Sequence, residues 1–227
     1  MKKRIFITGA TGGIGSALTE LCLQAGHTVF ATGRNAGLLE DLKTRTGCLG
    51  RIADLALPDE VLGIYAAARE ALGRVDVLVN NAGFNHRKDP LPLVETADFD
   101  AQYAVNLRAP FLLCREALKD MKERQTGHIV NIISTVAKNT MENYSVYQTM
   151  KYGFHGFTGS LIKEARQFNV KVTGVYPGGV NTRFRKVERT DYMDPRSAAW
   201  MILQVIDAPE DVVVHDLTFR PMVETNF

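Results

Sequence analysis

The 227-residue sequence lacks several features that mark specialised classes of protein. It contains no uninterrupted run of about 18 apolar residues, which a membrane-spanning helix needs. It contains no run of five basic residues, and its 27 Lys and Arg nearly balance its 25 Asp and Glu. Nothing therefore indicates a nucleic-acid surface or an anionic membrane surface, and we expect neither partner.

Cysteine is scarce as well. The three cysteines, Cys22, Cys48 and Cys114, are widely spaced and odd in number, which fits reduced intracellular thiols better than a disulfide framework. The five histidines lack the spacing of metal ligands, so no metal site is expected. The basic start MKKR is followed by only IFITGA before a glycine-rich stretch, too short for a secretory signal. These features predict a cytoplasmic protein.

The sequence does contain a regular alternation of apolar runs and amphipathic stretches. The apolar runs predict strands over 4–9, 27–33, 48–55, 75–83, 128–134, 170–179 and 211–221. Helical periodicity predicts helices over 13–26, 35–47, 58–73, 97–127, 144–168 and 195–208. With 45% apolar residues and no linker, the chain is expected to form a single domain over 1–227.

This order of elements predicts an α/β protein of the Rossmann type. Parallel strands need long crossover connections, and here a helix separates most consecutive strands. We expect a doubly wound parallel sheet of about seven strands with helices on both faces. In such a sheet a ligand binds beyond the carboxyl ends of the strands, where the strand order reverses.

The glycine-rich stretch TGATGGIG falls between the first predicted strand and the first predicted helix. Gly9 can form the tight turn, Gly13 lets the backbone approach a pyrophosphate, and Gly15 allows close helix–strand contact. Free N–H groups at the start of a helix favour an anion. A glycine-rich turn without a ligand is the alternative, but the position in the first βα unit favours dinucleotide binding.

The end of the second strand bears on the choice of dinucleotide. An acidic residue there would accept hydrogen bonds from the adenosine ribose of NAD, but Gly33 occupies that position and Arg34 follows it. Because a guanidinium pairs with a 2′-phosphate, NADP(H) is favoured over NAD(H); a solvated surface arginine is the alternative. Asp54, after the third strand, can contact the adenine amino group or cap a helix.

A tyrosine and a lysine lie one helical turn apart in YQTMKYGF. Side chains at i and i+4 share a helix face, so the ammonium of Lys151 is expected near the phenol of Tyr147. A positive charge there lowers a phenol pKa that is ordinarily ~10, as a general acid and base near neutral pH requires. Ser134 ends the strand HIVNIIS, where its hydroxyl can hold a substrate oxygen. Taken singly, both features are common structural ones.

Taken together, these motifs resemble the short-chain dehydrogenases/reductases, in the single-domain branch with a TGxxxGxG loop. The stretches that carry the resemblance are TGATGGIG, NNAG (80–83), VNL with Asn106, Ser134, YQTMK and VYPGGVNT (175–182). They occur in the order and spacing of that family and span nearly the whole chain. The resemblance implies hydride transfer between a nicotinamide and a carbonyl or secondary alcohol.

The resemblance also implies a role for each matching residue. Ser134 would orient the substrate carbonyl, Tyr147 would be the acid and base, and Lys151 would lower its pKa and bind the nicotinamide ribose. Asn106 would hold a helix distortion and a water in a proton relay to Lys151. The residues expected to bind the cofactor are Gly9, Thr11, Gly12, Gly13, Ile14, Gly15, Arg34, Asp54, Leu55, Asn81, Ala82, Gly83, Tyr147, Lys151, Pro177, Gly178, Val180 and Thr182.

The segment over about 181–195 is expected to form a lid over the substrate. Its basic residues favour either an acidic substrate or a merely solvated surface, and they are Arg183, Arg185, Lys186 and Arg189. The resemblance further implies a homodimer or homotetramer, with the long helices near 102–124 and 145–168 at an interface. The apolar residues suited to that interface, or to a monomer's core, are Phe111, Leu112, Phe154 and Phe157.

Two other functions compete with a small-molecule oxidoreductase. A dinucleotide-sensing protein without turnover would be expected to lose one of Ser134, Tyr147 and Lys151, and all three are present. An epimerase or dehydratase of the two-domain relatives would need a differently spaced glycine loop and a longer substrate region. An NAD(H)-dependent enzyme of the same family is the nearest alternative.

Overall fold

The computed structural model describes residues 1–85, 88–184 and 188–225. Within them, the strands form one parallel sheet in the order β3-β2-β1-β4-β5-β6-β7. The strands are β1 (Arg4–Thr8), β2 (Thr28–Thr32), β3 (Leu49–Gly50), β4 (Val77–Asn80), β5 (Gly127–Ile132), β6 (Val170–Pro177) and β7 (Asp216–Phe219). The helices are α1 (Gly13–Gln24), α2 (Ala36–Thr46), α3 (Pro58–Leu72), α4 (Thr96–Tyr103), α5 (Ala109–Arg124), α6 (Ser145–Arg166) and α7 (Pro195–Ile206). The predicted doubly wound fold is confirmed.

The central strands are apolar on both faces because helices cover the sheet on both sides. Along β1, Phe6 points into one core layer with helices α3, α5 and α6, where its ring meets Phe30 edge-on. Ile5 and Ile7 point into the opposite layer with α1, α2 and α7. The two layers fix the register of β1 between β2 and β4.

The strand order reverses at β1. The chain passes from β1 to its neighbour β2 on one side and later returns to β4 on the other. The connections therefore diverge above the carboxyl ends of β1 and β4, which opens a crevice at that edge. The glycine-rich loop after β1 and the NNAG stretch at the end of β4 both lie there.

Both edge strands are shorter in the structure than predicted. The third strand spans only Leu49–Gly50, at the sheet edge, rather than 48–55. The last strand spans Asp216–Phe219 rather than 211–221. In the segment before β7, the backbone carbonyls accept from side chains of β6 instead of from its backbone. Lys171 donates to the carbonyl of Val212, and Thr173 donates to that of Val214.

The single helix predicted over 97–127 is divided. A π-helical turn, Ala104–Arg108, separates α4 from α5 and contains Asn106. Pro110 lies in the first turn of α5, directly after the π-helical turn, and its missing N–H removes a helical hydrogen bond at this junction. Short π turns often occur at functional sites, and this one lies beside the catalytic candidates described below.

One residue expected at an interface lies in the core. Phe154 is 2% exposed and packs with Ile133, Ala137 and Tyr176, so it belongs to the interior of the monomer. Phe111, by contrast, is 43% exposed. No helix among the described residues is both long and apolar enough to span a membrane.

Candidate active site

The glycine-rich loop forms a tight turn against the end of β4. Gly9 has a φ of 63°, in the left-handed region that favours glycine, and a Cβ there would lie 2.7 Å from Cα of Ala82. A Cβ on Gly15 would overlap the carbonyl oxygen of Gly9. Gly12 begins α1 without a side-chain cap, so the unpaired N–H groups of the first turn, from Gly13 on, suit an anion.

Hydrogen bonds fasten this turn to the neighbouring strand. The Asn81 amide nitrogen donates to the carbonyl of Thr8 at 2.9 Å and to that of Gly9 at 3.1 Å. The Thr8 hydroxyl accepts from the backbone N–H groups of Asn81 and Ala82. Sequence reasoning missed Thr8, because a threonine inside a strand gives no functional signal of its own. The loop is thus held by β4 as well as by its own chain.

The end of β2 has no room for an acidic side chain. A Cβ on Gly33 would lie 2.5 Å from the hydroxyl oxygen of Thr11, because the Thr11 side chain occupies that space. Arg34 follows with an exposed side chain. An acidic side chain therefore does not fit at position 33, from which its carboxylate would bind the adenosine ribose of NAD.

Asp54 and Leu55, in the loop between β3 and α3, have local structural roles. The Asp54 carboxylate accepts from the backbone N–H of Ala56 at 2.9 Å, in the turn that leads into α3. Asp54 does not cap the helix, because the N-cap of α3 is Leu57 and has no side-chain cap; its contact with the adenine amino group stays a prediction. Leu55 is buried in the core layer of α3, so its side chain contacts other apolar residues.

The structure brings Tyr147 and Lys151 together on one face of α6. The ammonium nitrogen of Lys151 lies 5.7 Å from the centre of the Tyr147 ring. Both side chains are almost completely buried. Lys151 also donates to the carbonyl of Ile132 at the end of β5, at 3.2 Å, which points its stem toward the carboxyl edge of the sheet.

Burial lowers the pKa of Lys151. The side chain is 4% exposed, and removal from water lowers the pKa of its ammonium to about 8. An ammonium with that pKa is still mostly protonated at pH 7. The site therefore keeps a positive charge beside the Tyr147 ring, in surroundings where charge interacts strongly.

Asn106 joins the π-helical turn to this site. Its amide oxygen accepts from the backbone N–H of Phe84 at 3.1 Å, and its amide nitrogen donates to the carbonyl of Phe84 at 2.9 Å. A Cβ on Gly83 would lie 2.8 Å from that oxygen and 3.5 Å from the Lys151 nitrogen. The end of β4, the π turn and α6 therefore meet within a few ångströms.

Ser134 stands just beyond β5, at the start of a 3₁₀ turn over Thr135–Ala137. Its hydroxyl oxygen accepts from the backbone N–H of Val136 at 3.2 Å. That bond uses a lone pair and leaves the O–H group able to donate. The hydroxyl is partly exposed at the carboxyl edge of the sheet.

Gln148 connects the Ser134 loop to α6 and was not found from the sequence. Its amide nitrogen donates to the carbonyls of Val136 and Asn139, and its amide oxygen accepts from the N–H of Met141. Little in the sequence indicated this role, because the start of α6 also contains other polar residues, such as Ser145 and Thr149. Gln148 fixes the spacing between the two catalytic candidates.

The loop after β6 lies over the glycine-rich loop. Pro177 ends β6, and a Cβ on Gly13 would overlap the methyl group of Thr182. Val180 is buried and forms a parallel bridge with Met193. The structure thus brings Gly9, Gly13, Asn81, Gly83, Asn106, Ser134, Tyr147, Lys151, Pro177, Gly178, Val180 and Thr182 to one edge of the sheet.

The predicted lid is described only in part. Arg185 and Lys186 lie outside the described residues, and Arg183 is exposed. Arg189 forms an ion pair with Asp191 at 2.6 Å and stacks on Tyr192. Its charge is therefore compensated locally. Phe184 contacts the Tyr147 ring, with 5.9 Å between ring centres, so the lid borders the candidate site.

Comparison with known proteins identifies the family. A family model described as short chain dehydrogenase matches residues 3–193. The bovine (Bos taurus) 3-oxoacyl-[acyl-carrier-protein] reductase is 35% identical over 191 residues, which cover 82% of this chain and 79% of the relative. The chain belongs to the short-chain dehydrogenase family.

We expect no resident metal, and no group of three or more His, Cys, Asp or Glu in the described ranges is placed to hold one.

Two solved structures resemble this one closely. The closed form of serine dehydrogenase complexed with NADP⁺ has a TM-score of 0.92 and 27% identity, over 97% of this chain and 96% of that chain. The Brucella melitensis 3-ketoacyl-(acyl-carrier-protein) reductase complexed with NADH has a TM-score of 0.87 and 26% identity, over 95% and 96%. This short-chain dehydrogenase thus shares its fold with proteins that hold either dinucleotide.

The buried ammonium of Lys151 predicts a pH dependence of stability. Its pKa is about 8 in the folded chain and 10.5 ordinarily, so the unfolded chain binds more protons between these values. The contribution of Lys151 to the free energy of unfolding should rise across that window by about 1.4 kcal/mol per pH unit. Urea denaturation of the wild type and of Lys151→Met at pH 7 to 10.5 measures this contribution as the difference between the two proteins, because the buried thiols of Cys22 and Cys114, whose raised pKa acts in the opposite direction, affect both equally. Lys163→Met, at an exposed site on α6, is the control and should show the same pH dependence as the wild type; a difference between the wild type and Lys151→Met that does not change with pH contradicts the prediction.

Proposed function

We propose that this protein is an NADP(H)-dependent oxidoreductase that interconverts a small carbonyl compound and the corresponding secondary alcohol. One observation carries the proposal: the buried Lys151 ammonium lies 5.7 Å from the Tyr147 ring, at the sheet edge that holds the glycine-rich loop. The positive charge favours the phenolate form, so the phenol can exchange its proton with a substrate oxygen.

Ser134 and Tyr147 have different roles at the substrate. Ser134 donates a hydrogen bond from its hydroxyl to the carbonyl oxygen, keeps its proton and orients the substrate. Tyr147 gives a proton to that oxygen in reduction and takes it back in oxidation. A bound nicotinamide supplies or accepts the hydride, and the protein aligns and polarises the reacting groups.

Lys151 and Asn106 support this proton transfer. Lys151 keeps its charge beside the phenol and can also bond the nicotinamide ribose. Asn106 holds the π-helical turn and Phe84 in place, and we assign to this turn the water through which Lys151 exchanges protons with solvent. The pyrophosphate would lie on the N–H groups at the start of α1, within the stretch Thr11–Gly15.

The preference for NADP(H) rests on the end of β2. The Thr11 side chain fills the space of an acidic residue at position 33, and the exposed Arg34 can pair with a 2′-phosphate. The similar serine dehydrogenase structure holds NADP⁺, which supports this choice. An NAD(H)-dependent enzyme remains the alternative, and the similar reductase that holds NADH is its support.

Association into a homodimer or homotetramer is part of the proposal. Three large side chains are well exposed on the helices that the family resemblance places at an interface: Tyr103 on α4, Phe111 on α5 and Tyr152 on α6. Aromatic residues of this kind are enriched in protein interfaces.

Three buried free cysteines support a reducing compartment, and we place the protein in the cytoplasm.

Tyr147→Phe tests the assigned acid. The substitution keeps the ring but removes the exchangeable proton, so kcat should fall by about 10²- to 10⁴-fold while NADPH binding persists. Turnover is followed by NADPH absorbance with a panel of ketones and oxo acids, and binding by NADPH fluorescence. Tyr144→Phe, three residues earlier, should leave kcat nearly unchanged. Full activity of Tyr147→Phe would rule out the mechanism.

Arg34→Ala tests the choice of cofactor. Loss of one charge-assisted hydrogen bond to the 2′-phosphate should raise KM for NADPH by about 10- to 100-fold. The KM for NADH, which lacks that phosphate, should change little. Arg74→Ala, before the amino end of β4, is the matched control. Equal effects of Arg34→Ala on both cofactors, or a wild type that oxidises NADH but not NADPH, would overturn the assignment.

A further inference from the structure

The turn that follows β7 is fastened to the loop between β6 and the lid. Gly178 donates its backbone N–H to the carbonyl of Phe219 at 2.8 Å, and Gly179 donates to the Glu224 carboxylate at 2.9 Å. Glu224 is held in a turn of its own, because its N–H bonds the carbonyl of Pro221. Two consecutive glycines thus bond a segment about forty residues further along the chain.

A largely buried ion pair orients the Glu224 carboxylate. Arg220 lies 3.4 Å from one carboxylate oxygen, and the two side chains are only 13% and 16% exposed. A Cβ on Gly178 would overlap the Glu224 carboxylate, and one on Gly179 would overlap the Tyr192 ring. The glycine pair is therefore explained by close approach of Glu224 on one side and Tyr192 on the other.

This loop is fixed from two directions. On the lid side, Gly179 accepts from the N–H of Met193 at 3.2 Å, and Asn181 donates to the carbonyl of Met193 at 2.8 Å. On the other side, its N–H groups donate to the backbone carbonyl of Phe219 and to the side-chain carboxylate of Glu224. Of these four bonds, only the one to Glu224 uses a charged side chain, so it can be removed without altering the backbone of either partner segment.

We propose that Glu224 is a positioning residue for cofactor binding. It holds the N–H of Gly179 and thereby keeps the segment from Pro177 to Thr182 in the shape that binds the cofactor. The inference rests on the proposed function and on the family resemblance, which implies that Pro177, Gly178, Val180 and Thr182 bind the cofactor. Glu224 acts through Gly179 and touches no reacting atom, so its loss should weaken cofactor binding more than it slows the chemical step.

The direct test is hydrogen–deuterium exchange of the peptide that spans 177–182, without cofactor. Removal of a hydrogen bond to a charged group should accelerate exchange there by about tenfold in Glu224→Ala. Glu224→Gln keeps an oxygen that can accept from Gly179 and should stay within about threefold of the wild type. Glu116→Ala, which removes a paired carboxylate of similar exposure on α5, should leave this peptide unchanged.

Cofactor affinity supplies the functional readout. The Kd for NADPH should rise about tenfold in Glu224→Ala and recover in Glu224→Gln, with a smaller change in kcat. If Glu224→Ala folds poorly, Arg220→Met is the second variant. It keeps the Glu224 carboxylate as acceptor but removes its ion-pair partner, so exchange should be faster and the Kd for NADPH higher than in the wild type, each by less than expected for Glu224→Ala. Unchanged exchange at 177–182 in folded Glu224→Ala, or faster exchange with unchanged Kd, overturns the inference. A wild type that does not bind NADPH overturns the proposed function instead.

Discussion

The proposed chemistry depends on the positive charge of Lys151, which the fold buries although burial disfavours a charged group. Lys151 is 4% exposed, and its ammonium is held by the carbonyl of Ile132 while it lies beside the Tyr147 ring. Burial lowers the pKa of this group, so the folded chain gives up stability to keep it there. A lysine with only a structural role would reach solvent with its charged end, whereas strongly perturbed pKa values cluster at functional sites, which supports the role that we propose for Lys151.

The rest of the site is built to hold this pair at the edge of the sheet. Asn81 fastens the glycine-rich loop to β4, Asn106 fastens the π turn to Phe84, and Gln148 fastens the loop after Ser134 to α6. Each is an amide side chain that bonds the backbone of another segment. Because these bonds join loops of different strands, the site is pre-organised without a cofactor.

Sequence patterns predicted the fold, and the structure places many of the predicted site residues at one edge of the sheet, but the patterns did not predict the bonds between them. The central strands could be predicted because burial on both faces makes them mostly apolar. The edge strands β3 and β7 are shorter than predicted; before β7, side chains of β6 bond the carbonyls of the chain. Tyr147 and Lys151 followed from helical spacing. Phe154 could not be assigned, since core and interface use the same residue types. Glu224 and Thr8 were missed because their partners are distant in sequence.

The titration of the tyrosine ring tests the central claim most directly. With ¹³C-labelled tyrosine, the signal lost in Tyr147→Phe identifies the ring of interest, and its phenolate form can be followed against pH. If the Lys151 charge governs this phenol, the wild type should form phenolate at a lower pH than Lys151→Met, which lacks the positive charge. Identical titration curves for the two proteins would contradict the account.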